Sequence, residues 1–364
     1  MLSERLHAHR LAGNGLAAAV DVVRWFGAVQ AQDFPGALWA LAQRTSPPVD
    51  HASIVAAFDA GEIIRTHVLR PTWHLVAPED LRSMLALTAP RLQSSNAARY
   101  RALGLDATTR TRATRTFARA LDDGRHATRH ELAAALGRAR IDTTGQRLVH
   151  LLYHAELEGL ICSGPRVGAH LTYALLDDRV ARTPALSRDE ALGRLIQRYF
   201  TSHGPATVQD AAWWSGLPMR DVRDGIALAG DALARRVIDD REYWTAAEGT
   251  APAARRAARN AAPVLHLLPS FDEYTVAYRD RSALLDASTE PSASAQSALL
   301  SQPLLIDGRH AGSWRRTIPP RASAPVRVEV RTLRRLTTSE RRALDAAVER
   351  YGAFLGRDGM LSVA

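Results

Sequence analysis

The feature that most constrains the fold is a recurring order of elements: helices, then two short strands around a turn. Residues 21–29, DVVRWFGAV, carry apolar side chains at helical spacing. So do residues 36–44, GALWALAQR, where Asp33 is placed as an N-cap and Pro35 as an early helical proline. Residues 50–61 give a third helix, capped by Asp50 or Ser53 and stopped at Gly61. EIIRTHVLRPTWHLV, residues 62–76, then alternates and is rich in β-branched and aromatic types. That pattern predicts a hairpin turning at Arg70-Pro71. Helices followed by such a hairpin make a winged-helix unit.

The order recurs. TRHELAAAL and TTGQRLVHLLYHAELEG read as a short helix and a longer one with a Thr-rich cap, and LICSGPRVGAHLTYALL as two strands. A third run follows: RDEALGRLIQRYFTSHG, TVQDAAWWSG and LPMRDVRDGIALAG as helices, then LARRVIDDREYWTA as a wing. GTAPAARRAARNAAP reads as a loop. Beyond it lie a strand, a Ser/Ala/Pro-rich mobile loop, DASTEPSASAQSALLSQP, and a strand leading to a Thr/Ser-capped amphipathic helix. The expectation is a mainly α chain with small β wings (α+β). Its regions are 1–120, 121–184 and 185–250 for three tandem winged helices, and 251–364 for an α+β region packed upon them.

The formal charge is +9. A basic surface points to a polyanion, nucleic acid first, although an arginine-rich proteome drifts basic without any such partner. Lysine is absent, so all 47 Lys+Arg residues are arginine. A Schiff-base enzyme needs an amine and a P-loop needs Gly-Lys-Ser/Thr; neither is available apart from the terminal amine. Arginine instead suits bidentate phosphate contact. One cysteine, Cys162 in LEGLICSG, excludes a disulfide framework and a Cys-rich metal site and reads as an inert buried thiol. No apolar run approaches the length of a membrane span, and MLSERLHAHRLAG lacks a signal-peptide apolar region, so the bacterial cytoplasm is the expected location.

Candidate site residues follow from this layout. Gln30 and Gln32 bracket Ala31 at a helix junction, with Asp33 next; two amides there are either a polar joint or face a substrate. Arg65, His67, Arg70 and His74 sit on the first hairpin, where alternation sends half toward the core and half toward a DNA groove or backbone. Gln146, Arg147 and His150 share the long helix of the second unit, and Arg220 and Arg223 the matching helix of the third. All are candidate DNA contacts, with a solvated helix face as the plain alternative. His150 and His154 have a metal-like spacing but no completing ligands, so no metal and no cofactor are expected. Asp272 and Glu273 in SFDEY are paired carboxylates that read better as structural or capping groups than as an acid–base pair.

Taken together, VQAQD, RTHVLRPTWHLV, YALLDD and LLPSFDEYTVAYRDR resemble the winged-helix DNA glycosylase family, along nearly the whole chain. The resemblance implies three winged helices around a concave basic channel for duplex DNA. It places a Gln-hydrophobic-Gln motif, here Gln30 and Gln32, in that channel. It also implies that this motif, with Gln30 and Gln32 as the catalytic residues and Asp33 as a candidate catalytic neighbour, supports hydrolysis of the N-glycosidic bond of alkylated purines, above all N7-alkylguanine and including bulky adducts or crosslinks, in DNA repair or self-resistance to a genotoxin. Another branch carries Asp at the second position; here it is Gln32, and Asp33 follows one place on. The expected protein is a monomeric, monofunctional glycosylase acting on duplex DNA. The alternatives are a winged-helix transcriptional regulator without catalysis and a protein that sequesters a DNA-reactive drug.

Overall fold

The computed structural model describes residues 1–182, 184, 186–247, 263–286, 289–321 and 323–363. Helices α1 (Leu2–Ala8) and α2 (Ala19–Phe26) lead into strand β1 (Ala28–Gln30). Helices α3 (Phe34–Ala42) and α4 (His51–Ala60) precede the hairpin β2 (Ile64–His67) and β3 (Trp73–Val76). Helices α5 (Pro78–Ser95), α6 (Ala97–Ala102) and α7 (Ala107–Ala120) connect to β4 (Ala127–Thr128). Then come α8 (Arg129–Arg138), α9 (Arg147–Leu157), β5 (Ile161–Val167), β6 (His170–Leu175) and α10 (Leu176–Arg179). The third run is α11 (Arg188–His203), α12 (Val208–Ser215), α13 (Met219–Ala229), β7 (Leu233–Ile238) and β8 (Arg241–Ala246). The C-terminal part holds β9 (Leu265–Leu267), α14 (Glu273–Val276), α15 (Ala293–Ala298), β10 (Pro303–Ile306), β11 (Arg309–Thr317), β12 (Val326–Thr332), α16 (Thr338–Phe354) and β13 (Gly359–Val363).

The fold is α+β, with small sheets set among helices. The order helix–strand–helix–helix–strand–strand runs from α2 to β3 and again from α7 to β6. In both, the first strand pairs antiparallel with the last, giving the sheet orders β1-β3-β2 and β4-β6-β5. The order runs a third time from α11 to β8, where the first strand shrinks to one antiparallel bridge, Ala206 to Trp244. This is the winged-helix plan in three versions. The C-terminal sheet, β13-β12-β11-β10-β9, is of another kind: it is antiparallel except for the parallel pair β12–β13.

Local chemistry explains most boundaries. Asp50 accepts from the Ser53 amide to start α4, and Gly61 closes it at φ +86°. Capping boxes start α8 at Thr128, α11 at Ser187, α12 at Thr207 and α16 at Thr337. The Thr-rich segment before α9 behaves differently from the sequence expectation. Asp142 accepts from the Thr144 amide in a local turn, and α9 begins at Arg147 after Gln146, without a side-chain cap. The segment read as a mobile Ser/Ala/Pro loop contains α15, because Ser292 caps a run of Ala, Ser and Gln that tolerates helix well. The loop reading of residues 249–263 lies, except for Pro263, outside the described residues.

The apolar cores join distant parts of the chain. Trp39 of α3 packs on Tyr351 and Phe354 of α16, and its indole donates to the Leu267 carbonyl. Trp314 of β11 packs on Tyr351 and donates to the Leu268 carbonyl. A second core merges the first hairpin with α5, α9, α11, α12 and α13. Among the described residues no helix is long and apolar enough to cross a membrane.

Candidate functional site

The Gln-Ala-Gln stretch lies where the first unit passes from strand to helix. Gln30 ends β1, opposite His74 in β3, and Asp33 caps α3 by accepting from the Gly36 amide at 3.2 Å. In the second unit Thr128 is both the strand end and the helix cap, and in the third Thr207 follows the bridging Ala206 at once. The first unit alone has Ala31 and Gln32 interposed between the strand and the cap. Gly36 stands where the other two helices carry the Glu131 and Asp210 of their capping boxes. A Cβ there would lie 2.4 Å from Asp33 Oδ2, so Gly36 leaves the Asp33 carboxylate its room.

The two amides occupy opposite environments. Gln32 is exposed, whereas Gln30 is buried and Ala31 is fully enclosed. The backbone of Ala31 is clamped on both sides: its N–H donates to the Trp73 carbonyl at 2.7 Å, and its carbonyl accepts from Arg65 Nε at 3.1 Å. The Gln30 amide N–H donates to Glu273 Oε1 at 2.7 Å. Three fixed backbone groups therefore present Gln32 to solvent.

Glu273 comes from the C-terminal segment, far along the chain. Its other oxygen accepts from Trp214 Nε1 at 2.9 Å and faces His203 Nε2 at 3.3 Å. Burial works against its charge, but the hydrogen bond from His203, the Gln30 N–H and the nearby Arg70 together hold its carboxyl below the usual carboxylate range. Its neighbour Asp272 caps α14 and receives a bidentate pair from Arg44, at 2.6 and 2.9 Å, fully buried. The SFDEY segment is thus an internal brace that ties the start of α14 to α3, α11, α12 and the strand end at Gln30.

The first hairpin turns inward. Val68 and Leu69 at its tip are buried with Trp214 and Leu217. A Cβ at Gly216, the left-handed C-cap of α12, would lie 2.5 Å from the Leu69 carbonyl oxygen. Arg70 is half-buried beside this contact, and its Nε and Nη2 are buried without a hydrogen-bond partner among the described residues. His67 is buried, its Nδ1 2.5 Å from Glu156 Oε2. His74 is buried too, and burial pushes it down to about 3, so it is a neutral imidazole. Thr66, His74 and Gln30 are cross-strand neighbours and share one face. Thr66 Oγ1, His74 Nε2 and Gln30 Oε1 all lack a partner among the described residues.

The remaining candidates lie elsewhere. Gln146 is exposed at the start of α9 and accepts from Arg99; Arg147 donates to the Leu103 and Asp142 carbonyls. His150 is half-buried against Asn96. Arg220 and Arg223 on α13 are exposed, and Arg220 faces Asp224 only at 3.8 Å. Cys162 is enclosed in β5, where burial pushes its thiol up to about 12. Among the described residues no three His, Cys, Asp or Glu side chains group as a metal site.

Sequence reasoning passed over Glu156 and the bracing role of Glu273. Glu156 carried a signal: it falls in register with Leu148 and Leu152 on the buried stripe of α9, where an acid is out of place. Glu273 carried none, since nothing near it in sequence points to Gln30.

Comparison with known proteins agrees with this architecture. The family model described as "DNA glycosylase AlkZ-like" matches residues 23–354. The solved structure of Streptomyces sahachiroi DNA glycosylase AlkZ superposes with a TM-score of 0.78 at 23% identity, covering 100% of this chain and 98% of that one. No curated protein matches the sequence. With nearly its whole length matched and its fold shared, this chain belongs to the AlkZ-like DNA glycosylase family.

Proposed function

We propose that this protein is a monofunctional DNA glycosylase that hydrolyses the N-glycosidic bond of N7-alkylated purines in duplex DNA. The observation that carries this reading is the strand-to-helix junction of the first unit. There, two residues absent from the other units bring an uncharged amide to the surface on a backbone fixed at Gln30 and Ala31. Exposed Arg220 and Arg223 on α13, and Gln146 at the start of α9, are the proposed contacts to the DNA backbone, with Arg147 and His150 beside them.

N7 alkylation gives the purine a positive charge, so it departs as a neutral base when the C1′–N9 electron pair passes to its ring. The sugar then has oxocarbenium character. The Gln32 oxygen is suited to hold a water on the far face of the sugar, and its dipole stabilises the developing positive charge. Water oxygen bonds to C1′ and its proton leaves to solvent. Gln30 is a positioning residue through its braced N–H, and Asp33 holds the start of α3. A neutral amide suffices because the leaving group is already activated. Without lysine, no side-chain amine can form an imine with the abasic sugar.

The test is release of 7-methylguanine from methylated duplex DNA, comparing wild type with Gln32→Ala. Release by wild type and its loss in the variant is the expected result. Tight duplex binding with no release from any alkylated substrate would instead favour a winged-helix regulator. Borohydride trapping should give no covalent adduct, and an adduct mapping anywhere but the terminal amine would refute the monofunctional assignment.

A further inference from the structure

Arg65 is a half-buried cation whose protein partners leave its charge unanswered. Its backbone N–H donates to Ser163 Oγ of β5 at 2.8 Å, and its Nε to the Ala31 carbonyl at 3.1 Å. The guanidinium lies 4.4 Å from the Trp73 ring centre and 5.9 Å from that of Phe34. Its two terminal nitrogens have no hydrogen-bond partner among the described residues, yet they retain accessible surface. No carboxylate pairs with it among those residues, and Glu156, the acid whose charge acts on it, is engaged by His67. Burial pushes the guanidinium below its usual range. A cation held in this way gains from an anion that reaches its free edge.

Two further donors face the same space. It is a cavity of about 200 Å3 between the first and second winged units, with Arg65, Arg129 and Tyr173 set around an apolar wall of Val149, Leu152 and Leu171. Arg129, the first residue of α8, is exposed and so marks the mouth. Its guanidinium makes no hydrogen bond or ion pair among the described residues, and Glu131 on the same helix is engaged by Thr128. Tyr173 of β6 is half-buried, and burial pushes its phenol up, so the hydroxyl keeps its proton. That hydroxyl also has no partner among the described residues and retains accessible surface. The charges of Arg65 and Arg129 both act on it, which places the three groups together.

We propose that Arg65, Arg129 and Tyr173 bind one phosphate of the duplex at the mouth of this cavity and so fix the damaged strand against Gln32. This rests on the glycosylase reading and deepens it. Two guanidinium forks and a hydroxyl suit the oxygens of a phosphodiester. The apolar wall beneath thins the water around them and strengthens charge-assisted hydrogen bonds. The donors come from both winged units, so one phosphate bridges β2 of the first to α8 and β6 of the second. Arg65 Nε is tied to the carbonyl of Ala31, the residue before Gln32, so the placement of the phosphate follows that of the amide. Charge gives a second reason. An unpaired guanidinium beside the junction opposes the positive charge developing on the sugar, and a guanidinium paired with phosphate does not.

Fluorescence anisotropy of the full-length protein with an unmodified duplex, over a series of sodium chloride concentrations, counts the phosphates neutralised. Arg129→Gln should weaken binding at least threefold at low salt. The double variant Arg65→Gln/Arg129→Gln should flatten the plot of log affinity against log salt by about one unit, the share of a single phosphate. Tyr173→Phe should weaken binding about tenfold with the slope unchanged, because it removes a neutral donor. A flattening near zero, or near two as for separate phosphates, overturns the proposal. Arg65→Gln also frees the Ala31 carbonyl, so if the double variant melts early, Arg129→Gln and Tyr173→Phe decide, and wild-type affinity in either overturns the proposal. Release of 7-methylguanine from methylated duplex at saturating protein reads the positioning. Arg129→Gln should slow it at least fivefold, which a contact serving affinity alone would not do; unchanged release at saturation overturns the fixing of the strand. Wild type that shows the expected salt slopes but releases no base fails the glycosylase reading and leaves the phosphate site standing. Release by wild type, with the variants binding as wild type does, overturns the site and leaves the glycosylase reading intact.

Discussion

The first and second winged units share one topology but treat the same junction differently. In the second, β4 runs directly into α8, and Thr128 and Glu131 close a capping box facing solvent. In the first, Ala31 and Gln32 intervene, the box acid is replaced by Gly36, and the strand end is held from behind by Glu273. The wings differ in the same sense. The first hairpin is buried at its tip against α12, whereas Val167 at the tip of the second is exposed. Two copies of a plan can thus diverge by where each spends its polar groups. The second satisfies its junction locally, and the first borrows a carboxylate from across the molecule and leaves an amide at the surface.

The largest expected effect tests the borrowed support. Asp272→Ala leaves the buried Arg44 guanidinium without its bidentate partner and should cost about 3–5 kcal/mol in urea unfolding. A loss under about 1 kcal/mol would mean that the Arg44–Asp272 pair does not hold the start of α14, the segment from which Glu273 reaches the first junction. Next, Gln32→Ala should lower 7-methylguanine release about 100-fold, the scale of losing one preorganised polar group, with an unchanged melting temperature. Thr128→Ala, at the matching junction, should leave release intact. Equal losses at both positions would erase the functional contrast.

A third test uses pH. His74 and His266 are buried, and burial pushes each from 6.5 down to about 3. Their folded values are depressed, so the unfolded chain binds more protons below about pH 6.5. The stability they contribute is present above that value and drains away as pH falls toward about 3, by roughly 1.4 kcal/mol per pH unit for each group. Melting temperature should therefore drop between pH 7 and pH 5, and His74→Phe should flatten part of that slope. An unchanged slope would remove His74 from the contrast between the first sheet and the second. The smallest effect concerns the local caps. Thr207→Ala should cost about 1 kcal/mol in the same unfolding assay, with release unaffected.

Much of this was legible in the sequence, and the physical reason is locality. Helical periodicity, alternation in residues 62–76 and the cap residues Asp33, Asp50 and Thr337 act within a few positions, so the repeated plan can be read directly. The Gln-Ala-Gln stretch was visible, but the opposite burial of its two amides was not, because it depends on how the sheet meets the C-terminal segment. The first hairpin was recognisable, yet not its inward turn, which is set by the close approach of Leu69 to Gly216 across the fold. The α15 helix was missed because Ser, Ala and Pro also compose flexible loops, and only the placement of Ser292 as a cap separates the two.

The bond from Gln30 to Glu273 spans 243 residues. A ribosome makes the first partner early and the second late. While the chain is being synthesised, its first winged unit has the amides but not the carboxylate that fixes the strand end beneath them. The junction reaches its final shape only after all three winged units have emerged, so a stalled or truncated product stopping before Glu273 would carry the motif without its brace.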